Sequence, residues 1–431
     1  MQWYCMGPEI IALAMIMSLA GAVAGTFTGL IPGIHVNTLA SVMLVLYPAL
    51  GSLMSGFTDT SYTPILVSSF IMSASVVHSF VDFVPSVFIG APDPDEVLTT
   101  LPGHRLMMEG RGMDAVRAAA IGSSVGAACS VLLAIPFQYL MLNGLADTLD
   151  VFTFSVLLFT LCAITLNEKG IDGKLWALVL ILVSGGLGYV CMNLGLPCNG
   201  ILGEGTLLFP LLTGLFGMPT LLNSVRRATI PVQYDGDTDP VGPVPGLKGL
   251  LMGTVAGWYP GITATAGASL ASIFSPEKDP ARFISMVASI GTVTSIFSIV
   301  TLSVSGNGRS GTVLVIKEII GDSLSGFCSP GFLLMLFSVG IAATFGYYAT
   351  IFSGKTMINI SKRIDTNTMN KTVIVIVSVL VFLLTGPFGI LILMISTFVG
   401  LIPLCNDSNR IPLVGCLILP VLISKMSFFG I

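Results

Sequence analysis

Two short strings hold the residue types best suited to chemistry. Residues 25–34 read GTFTGLIPGI and residues 253–262 read GTVAGWYPGI; they align without a gap at an offset of 228 residues. They share Gly, Thr, Gly, Pro, Gly and Ile. Proline lacks the amide that would bond four residues back, and glycine tolerates open backbone angles. Pro32-Gly33 and Pro260-Gly261 are therefore each expected to interrupt a helix. The helix that restarts turns its positive end and its unpaired amides toward the break, where an anion's oxygens can accept hydrogen bonds. The candidate anion contacts are Gly29, Pro32, Gly33, His35, Asn37 and Thr38 in the first copy, with Gly257, Pro260, Gly261, Thr263 and Thr265 in the second. One such pair alone reads as a kink, but two in equivalent positions point to a site.

A second pair of features follows the same order. SVFIGAPDPDE (from Ser86) and SGNGRSGT (from Ser305) are small polar stretches placed directly after long apolar runs, as the tips of re-entrant hairpins would be. In the latter, Asn307, Gly308, Arg309 and Ser310 form a polar cluster whose arginine is the sole basic residue between Arg282 and Lys317. A charge near membrane depth is costly, so Arg309 is expected to pair with an anion or a carboxylate. His78 and Asp82 lie four residues apart at the end of an apolar run, on one helical face, a spacing that suits a proton or sodium relay as well as a structural pair.

Other motifs fail on context. GNGRSG fits a dinucleotide fingerprint but follows an apolar helix, and Gly354-Lys355-Thr356 lacks the upstream glycine of a phosphate loop. The DGDTD string near Asp235 has Pro240 where a calcium loop needs its sharp-turn glycine. No H-E-x-x-H, no Cys/His ligand cluster and no nucleophile elbow occurs, and three histidines leave little acid-base chemistry. No enzymatic activity, catalytic residue, metal site or cofactor is expected, apart from a coupling Na+ or H+.

The elements that position these residues must lie in lipid. Of 431 residues, 54% are hydrophobic and 9% charged, against about a quarter charged in ordinary soluble domains. Apolar stretches at 10–31, 64–80, 117–142, 151–166, 174–195, 205–223, 283–304, 330–352 and 372–404 predict about ten to twelve transmembrane or re-entrant helices, at roughly 20 residues per span. Such long unalternating runs exclude barrel strands, so the fold class is an all-α integral membrane protein with broken helices. The net charge of −4, without a basic tail, excludes nucleic acid as a partner. The eight cysteines are scattered in apolar runs and read as packing residues.

Three parts follow: a first transmembrane repeat (1–228), a Pro-, Gly- and Asp-rich linker (229–246) expected to be solvated, and a second repeat (247–431). No Lys or Arg precedes Arg105, so the first apolar run reads as an uncleaved helix. The basic clusters at Arg105–Arg117, Arg226–Lys248 and Lys355–Lys371 place those loops in the cytoplasm and the N-terminus outside, in the plasma membrane.

Three strings taken together, GTFTGLIPGIHVNTLA, APDPDEVLTTLPGHRLMMEGRGMDAVRAAAIGS and GTVAGWYPGITATAGASLAS, resemble the large membrane subunit of the tripartite tricarboxylate transporters, in the right order over most of the chain. The resemblance implies a permease of two inverted repeats that moves a small organic anion, such as a di- or tricarboxylate, by alternating access. It implies that residues around both Pro-Gly pairs line the carboxylate site. It also admits a small membrane subunit, an extracytoplasmic binding protein and a homodimer as partners. His35 and Asn37 stand where that family usually has small residues. The Pro-Gly signature is similar as well to that of prokaryotic carriers that return polyprenyl phosphate across the membrane, which makes an anionic lipid the alternative substrate.

Overall fold

The computed structural model describes residues 7–31, 36–89, 97–193, 195, 199–201, 203–204, 207–224, 231–236, 240–259, 264–306, 308, 310–361, 366–406 and 408–428. Nearly all are helical, because lipid offers backbone groups no water to bond. The first half contains α1 (Pro8–Leu30), α2 (Val36–Met54), α3 (Thr63–Val81), α4 (Phe83–Ile89), α5 (Thr100–Met108), α6 (Gly112–Leu140), α7 (Ala146–Val151), α8 (Thr153–Leu166), α9 (Gly170–Asn193), α10 (Leu208–Leu212) and α11 (Met218–Ser224). The second contains α12 (Val244–Trp258), α13 (Ala264–Phe274), α14 (Pro280–Ser305), α15 (Gly311–Ile320), α16 (Pro330–Ser361), α17 (Thr366–Cys405) and α18 (Gly415–Phe428). Among the described residues, seven helical stretches are long and apolar enough to cross a membrane, and five shorter apolar helices accompany them.

Small residues at every fourth position set the central packing, as they do wherever helices approach closely in lipid. A methyl group on Gly21, Gly25 or Gly29 of α1 would meet the α3 backbone at Phe70, Ala74 and His78 in turn. At the matching positions of α12, Gly249, Gly253 and Gly257 face the α14 backbone at Met286, Ile290 and Thr294. Serines repeat the correspondence: Ser73 Oγ donates to the Ser18 carbonyl at 2.5 Å, and Ser289 Oγ to the Gly246 carbonyl at 2.7 Å.

Both rows advance in the same direction along both helices, so α1 runs parallel to α3 and α12 runs parallel to α14. Parallel neighbours require the intervening chain to return. α1 and α2 are therefore the arms of a splayed hairpin, as are α12 and α13. The sequence suggested a helix interrupted and then restarted; the chain in fact reverses at each break, because only a reversal brings it back to the start of the next span.

α3 and α14 form the centre, with 78% and 83% of their most apolar windows buried, against 28–50% for the other five spans. They cross where Ser79 Oγ and Thr292 Oγ1 lie 3.4 Å apart. Each also takes a long helix from the opposite half. α16 runs parallel to α3, with Gly331 beside Ile65 and Gly346 beside Phe80, and α6 runs parallel to α14, with Gly122 at Ser285 and Gly126 at Ser289. α6 and α16 are antiparallel: Gly354 packs on Val116 and Met113, while Leu333 and Leu336 share a groove with Val131 and Ile135. An outer group pairs α9 with α18 and α10–α11 with α17. α17 is itself broken at Gly386, whose φ of 69° precedes Pro387.

Part of the linker is docked rather than solvated. Gln233 is buried; its Nε2 donates to the carbonyls of Met107 (2.8 Å) and Pro231 (2.9 Å), and its Oε1 accepts from the Gly112 amide at 2.9 Å. Asp235 then takes Arg117 of α6 at 2.6 Å and Lys355 of α16 at 3.4 Å. Residues 231–236 thus find partners on the α5–α6 turn and on the adjoining ends of α6 and α16, which composition alone does not disclose. The six described cysteines are unbridged.

A second ionic cluster sits at the start of α14, where part-buried Glu277 meets Lys248 of α12 and Arg282. Burial pushes the Glu277 carboxyl up, but the two cations outweigh it and hold the carboxyl below its ordinary value. Its stabilising effect is thus present above the unfolded carboxylate pKa of about 4.3 and lost as pH falls through the lower folded value. Glu277→Gln should lower the thermal midpoint in detergent at neutral pH, and the deficit should close below about pH 4; a pH-independent deficit would rule out the charge explanation. Gly25→Leu should lower the midpoint by several degrees or prevent folding, whereas Gly186→Leu, with nothing within 4 Å of its added carbon, should be tolerated. Equal effects of the two substitutions would count against close helix approach as the organising contact.

Candidate functional site

The two breaks fall at the same positions of the two aligned strings. α1 ends at Leu30 and α2 starts at Val36; α12 ends at Trp258 and α13 starts at Ala264. Ile31 and Tyr259 are both extended, with ψ of 104° and 128°, which ends each helix outright rather than bending it. Pro32, Gly33, His35, Pro260, Gly261, Thr263, Asn307 and Arg309 lie outside the described residues, as does the side chain of Thr38. The described flanks define the site.

Gly29 and Gly257 occupy the last turns before the breaks. Gly29 lies against the His78 carbonyl and the Asp82 amide, and Gly257 against the Thr294 carbonyl and the Phe297 side chain. Because His78 neighbours Ser79, and Thr294 lies two residues from Thr292, both breaks come to the α3–α14 crossing. The structure thus brings the helix turns that precede the two breaks, separated by more than half the chain, close to one buried polar contact.

Ending a helix leaves carbonyls without intrahelical donors. In the second repeat Thr301 Oγ1 donates to the Gly257 carbonyl at 2.9 Å and covers one of them. In the first, Thr28 Oγ1 donates to the Gly25 carbonyl at 3.1 Å and lies 3.0 Å from His78 Nδ1. His78 and Asp82 are both 4% exposed, and the Asp82 amide donates to the His78 carbonyl at 3.0 Å, so they share a helical face as their spacing predicted.

The polar hairpin of the second half reaches the first break. Asn37 Oδ1, in the first turn of α2, accepts from both the amide (2.8 Å) and the hydroxyl (2.6 Å) of Thr312 in the first turn of α15. Two N-terminal helix turns, both positive ends, are thereby pinned together. Ser310 is the α15 cap, its Oγ accepting from the Val313 amide at 3.3 Å, and Gly308 lies against the Leu314 amide. The reciprocal contact joins the second break to the first half. Thr265, 2% exposed in the first turn of α13, lies on the helix that packs against the 3₁₀ turn Val97–Thr99, just beyond APDPDE.

Sequence reasoning missed Thr28, Thr301 and Thr312. Thr28 carried a signal, since it is the polar residue among the positions of the first motif that the second does not share, where the second has Ala256. Among the described residues there is no group of three or more His, Cys, Asp or Glu that could hold a metal. An apolar groove of about 800 Å³ between α1, α6 and α16, with Leu19, Phe337 and Tyr348 in its walls, lies well back along α1 from Gly29.

A family model described as the tripartite tricarboxylate transporter TctA family matches residues 15–415. The chain is also similar to an uncharacterized protein of Methanocaldococcus jannaschii, 25% identical over 427 residues, covering 95% of this chain and 98% of that one. No solved structure matches the chain.

Asn37→Ala removes the acceptor of both Thr312 bonds and should cost about 1–3 kcal/mol in denaturant unfolding. Asn37→Asp keeps the acceptor at a helix N-terminus that favours negative charge and should recover most of the loss. If the two variants are equally destabilised, the Thr312 bonds are not what Asn37 contributes.

Proposed function

The chain belongs to the tripartite tricarboxylate transporter TctA family, and from this membership we propose that it is a secondary transporter moving a small di- or tricarboxylate by ion-coupled alternating access. The family supports a permease role. The carboxylate and the access mechanism are our reading. The observation that supports it is that the helix turns before both breaks, at Gly29 and Gly257, pack on α3 and α14 beside one buried crossing. Free amides at membrane depth persist where they face protein or a wet cavity, and two helix N-termini there suit a multiply charged anion. In this reading Pro32, Gly33, His35, Asn37 and Thr38, with Pro260, Gly261, Thr263 and Thr265, line the anion, and Arg309 reaches it from the α15 hairpin.

Alternating access needs two units that exchange roles, and inverted repeats supply them. The opposed runs of α1–α3–α16 and α12–α14–α6 support that arrangement. They also support an external N-terminus. α16 runs parallel to α1 and carries Lys355 at its far end, while α6, running oppositely, carries Arg117 at its start, so the basic ends share one face, cytoplasmic by the positive-inside rule. TctA proteins are the large subunit of tripartite systems. A small membrane subunit and an extracytoplasmic binding protein are accordingly the partners we propose, in the plasma membrane.

The experiment is uptake into proteoliposomes of labelled citrate, succinate and malate under imposed proton and sodium gradients. Saturable, gradient-driven uptake of at least one acid is expected. Uptake of none, together with displacement of polyprenyl phosphate between leaflets, would move the assignment to the lipid carrier.

A further inference from the structure

Close helix packing makes the two repeats comparable residue by residue, and the comparison exposes an asymmetry. Gly29 meets the backbone at His78, and its counterpart Gly257 meets the backbone at Thr294. His78 and Thr294 therefore hold equivalent places beside the two breaks. One turn further on, Asp82 is matched by Ser298, and Thr28 by Ala256. The first repeat thus carries a buried imidazole and carboxyl where the second carries two hydroxyls that do not titrate. Resting on the secondary-transport reading above, we propose that the coupling ion is a proton, carried by His78 beside Asp82 in the first repeat alone.

The Thr28 hydroxyl holds the ring in place. Thr28 Oγ1 lies 3.1 Å from the Gly25 carbonyl and 3.0 Å from His78 Nδ1, bridging the end of α1 to the imidazole. Uptake forms an N–H bond at the unprotonated ring nitrogen with a proton from water on one side and makes an imidazolium. Release breaks that bond toward water on the other side, and the neutral ring is restored. Asp82 lies one turn away on the same helical face. Sodium is the poorer fit, because hard cations are held by sets of oxygens, whereas the centre of this site is an imidazole nitrogen.

Charges on the surrounding elements stand apart from the pair. Among the described residues, α4 has none, and Glu9 of α1 lies about 30 Å from the level of His78 at 1.5 Å per residue. Arg282 of α14 lies about 15 Å beyond the Thr292 crossing on the same count, and Lys355 of α16 about 15 Å beyond the Gly346–Phe80 contact. Lys317 and Glu318 of α15 are exposed. On α6, Arg117 is engaged by Asp235 and Asp114 by Arg111. Among the described residues, α2 adds Tyr47, α6 adds Tyr139 and α16 adds Tyr347 and Tyr348.

The test has two arms on the full-length chain. In nanodiscs without substrate, ¹⁵N-histidine NMR, assigned with His78→Asn, should show the His78 ring changing protonation between about pH 5 and 8, and Thr28→Val should move that midpoint. A His78 ring that keeps one protonation state across this range overturns the proposal whether or not the protein transports anything. In proteoliposomes loaded with the transported acid, an inward proton gradient should drive uptake independently of sodium, and His78→Asn should reduce that drive by at least about tenfold. Sodium-driven, pH-insensitive uptake by the unmodified chain overturns proton coupling while leaving the transport reading intact. Full proton-driven uptake by His78→Asn does the same. Should His78→Asn fail to fold, the His78 signal is assigned by elimination with His35→Asn and His104→Asn, Thr28→Val is read in its place, and an unmoved NMR midpoint with unchanged uptake decides against the proposal.

Discussion

Everything central in this protein depends on one constraint: a helix cannot end within lipid unless something else takes up its freed backbone groups. Both halves end a helix in mid-protein, at Leu30 and Trp258, and both meet the requirement in the same way. A row of glycines draws the ending helix so close to its neighbour that the backbone of α3 or α14 becomes the wall of the break. Side chains from that neighbour then reach across, Thr301 to the Gly257 carbonyl and His78 toward Thr28. The high burial of α3 and α14 follows, since a helix that lines a break cannot also face the bilayer.

The breaks themselves were legible in the sequence. Pro-Gly repeated at a constant offset located both helix ends and both restarts, and no reading of composition was needed beyond the duplication. Direction was not legible. Whether the chain continues or reverses at Pro32-Gly33 depends on α1 lying parallel to α3, and that is fixed by which carbonyl each glycine meets. Every-fourth-residue glycine spacing announces a close neighbour without saying which helix it is or which way it runs.

Partnerships across the chain were hidden for a similar reason. Thr312 and Asn37 are separated by most of the protein, and nothing local in SGNGRSGT says that its threonine will seat on an asparagine at the other break. Asp235 shows the opposite error. Its Asp- and Gly-rich surroundings have the composition of a solvated tether, yet Arg117 and Lys355 converge on it because two long helices from different halves happen to end side by side. His78 and Asp82 stood between these cases. Their spacing gave the shared face correctly, and only the comparison with Thr294 and Ser298 shows that the second repeat holds no ionisable counterpart.

The docked linker has one more consequence. A chain segment that joins two halves only covalently lets them wander over its full contour length, and the effective concentration of one near the other falls as that length grows. Here Gln233 and the Tyr234 amide fasten the segment to the first half before Asp235 reaches Lys355 of the second. The working tether is therefore much shorter than the linker. With Asp235 held by Arg117 of the first half, Lys355 of α16 has a partner fixed in place, which favours pairing of the halves within one molecule over pairing between separate molecules.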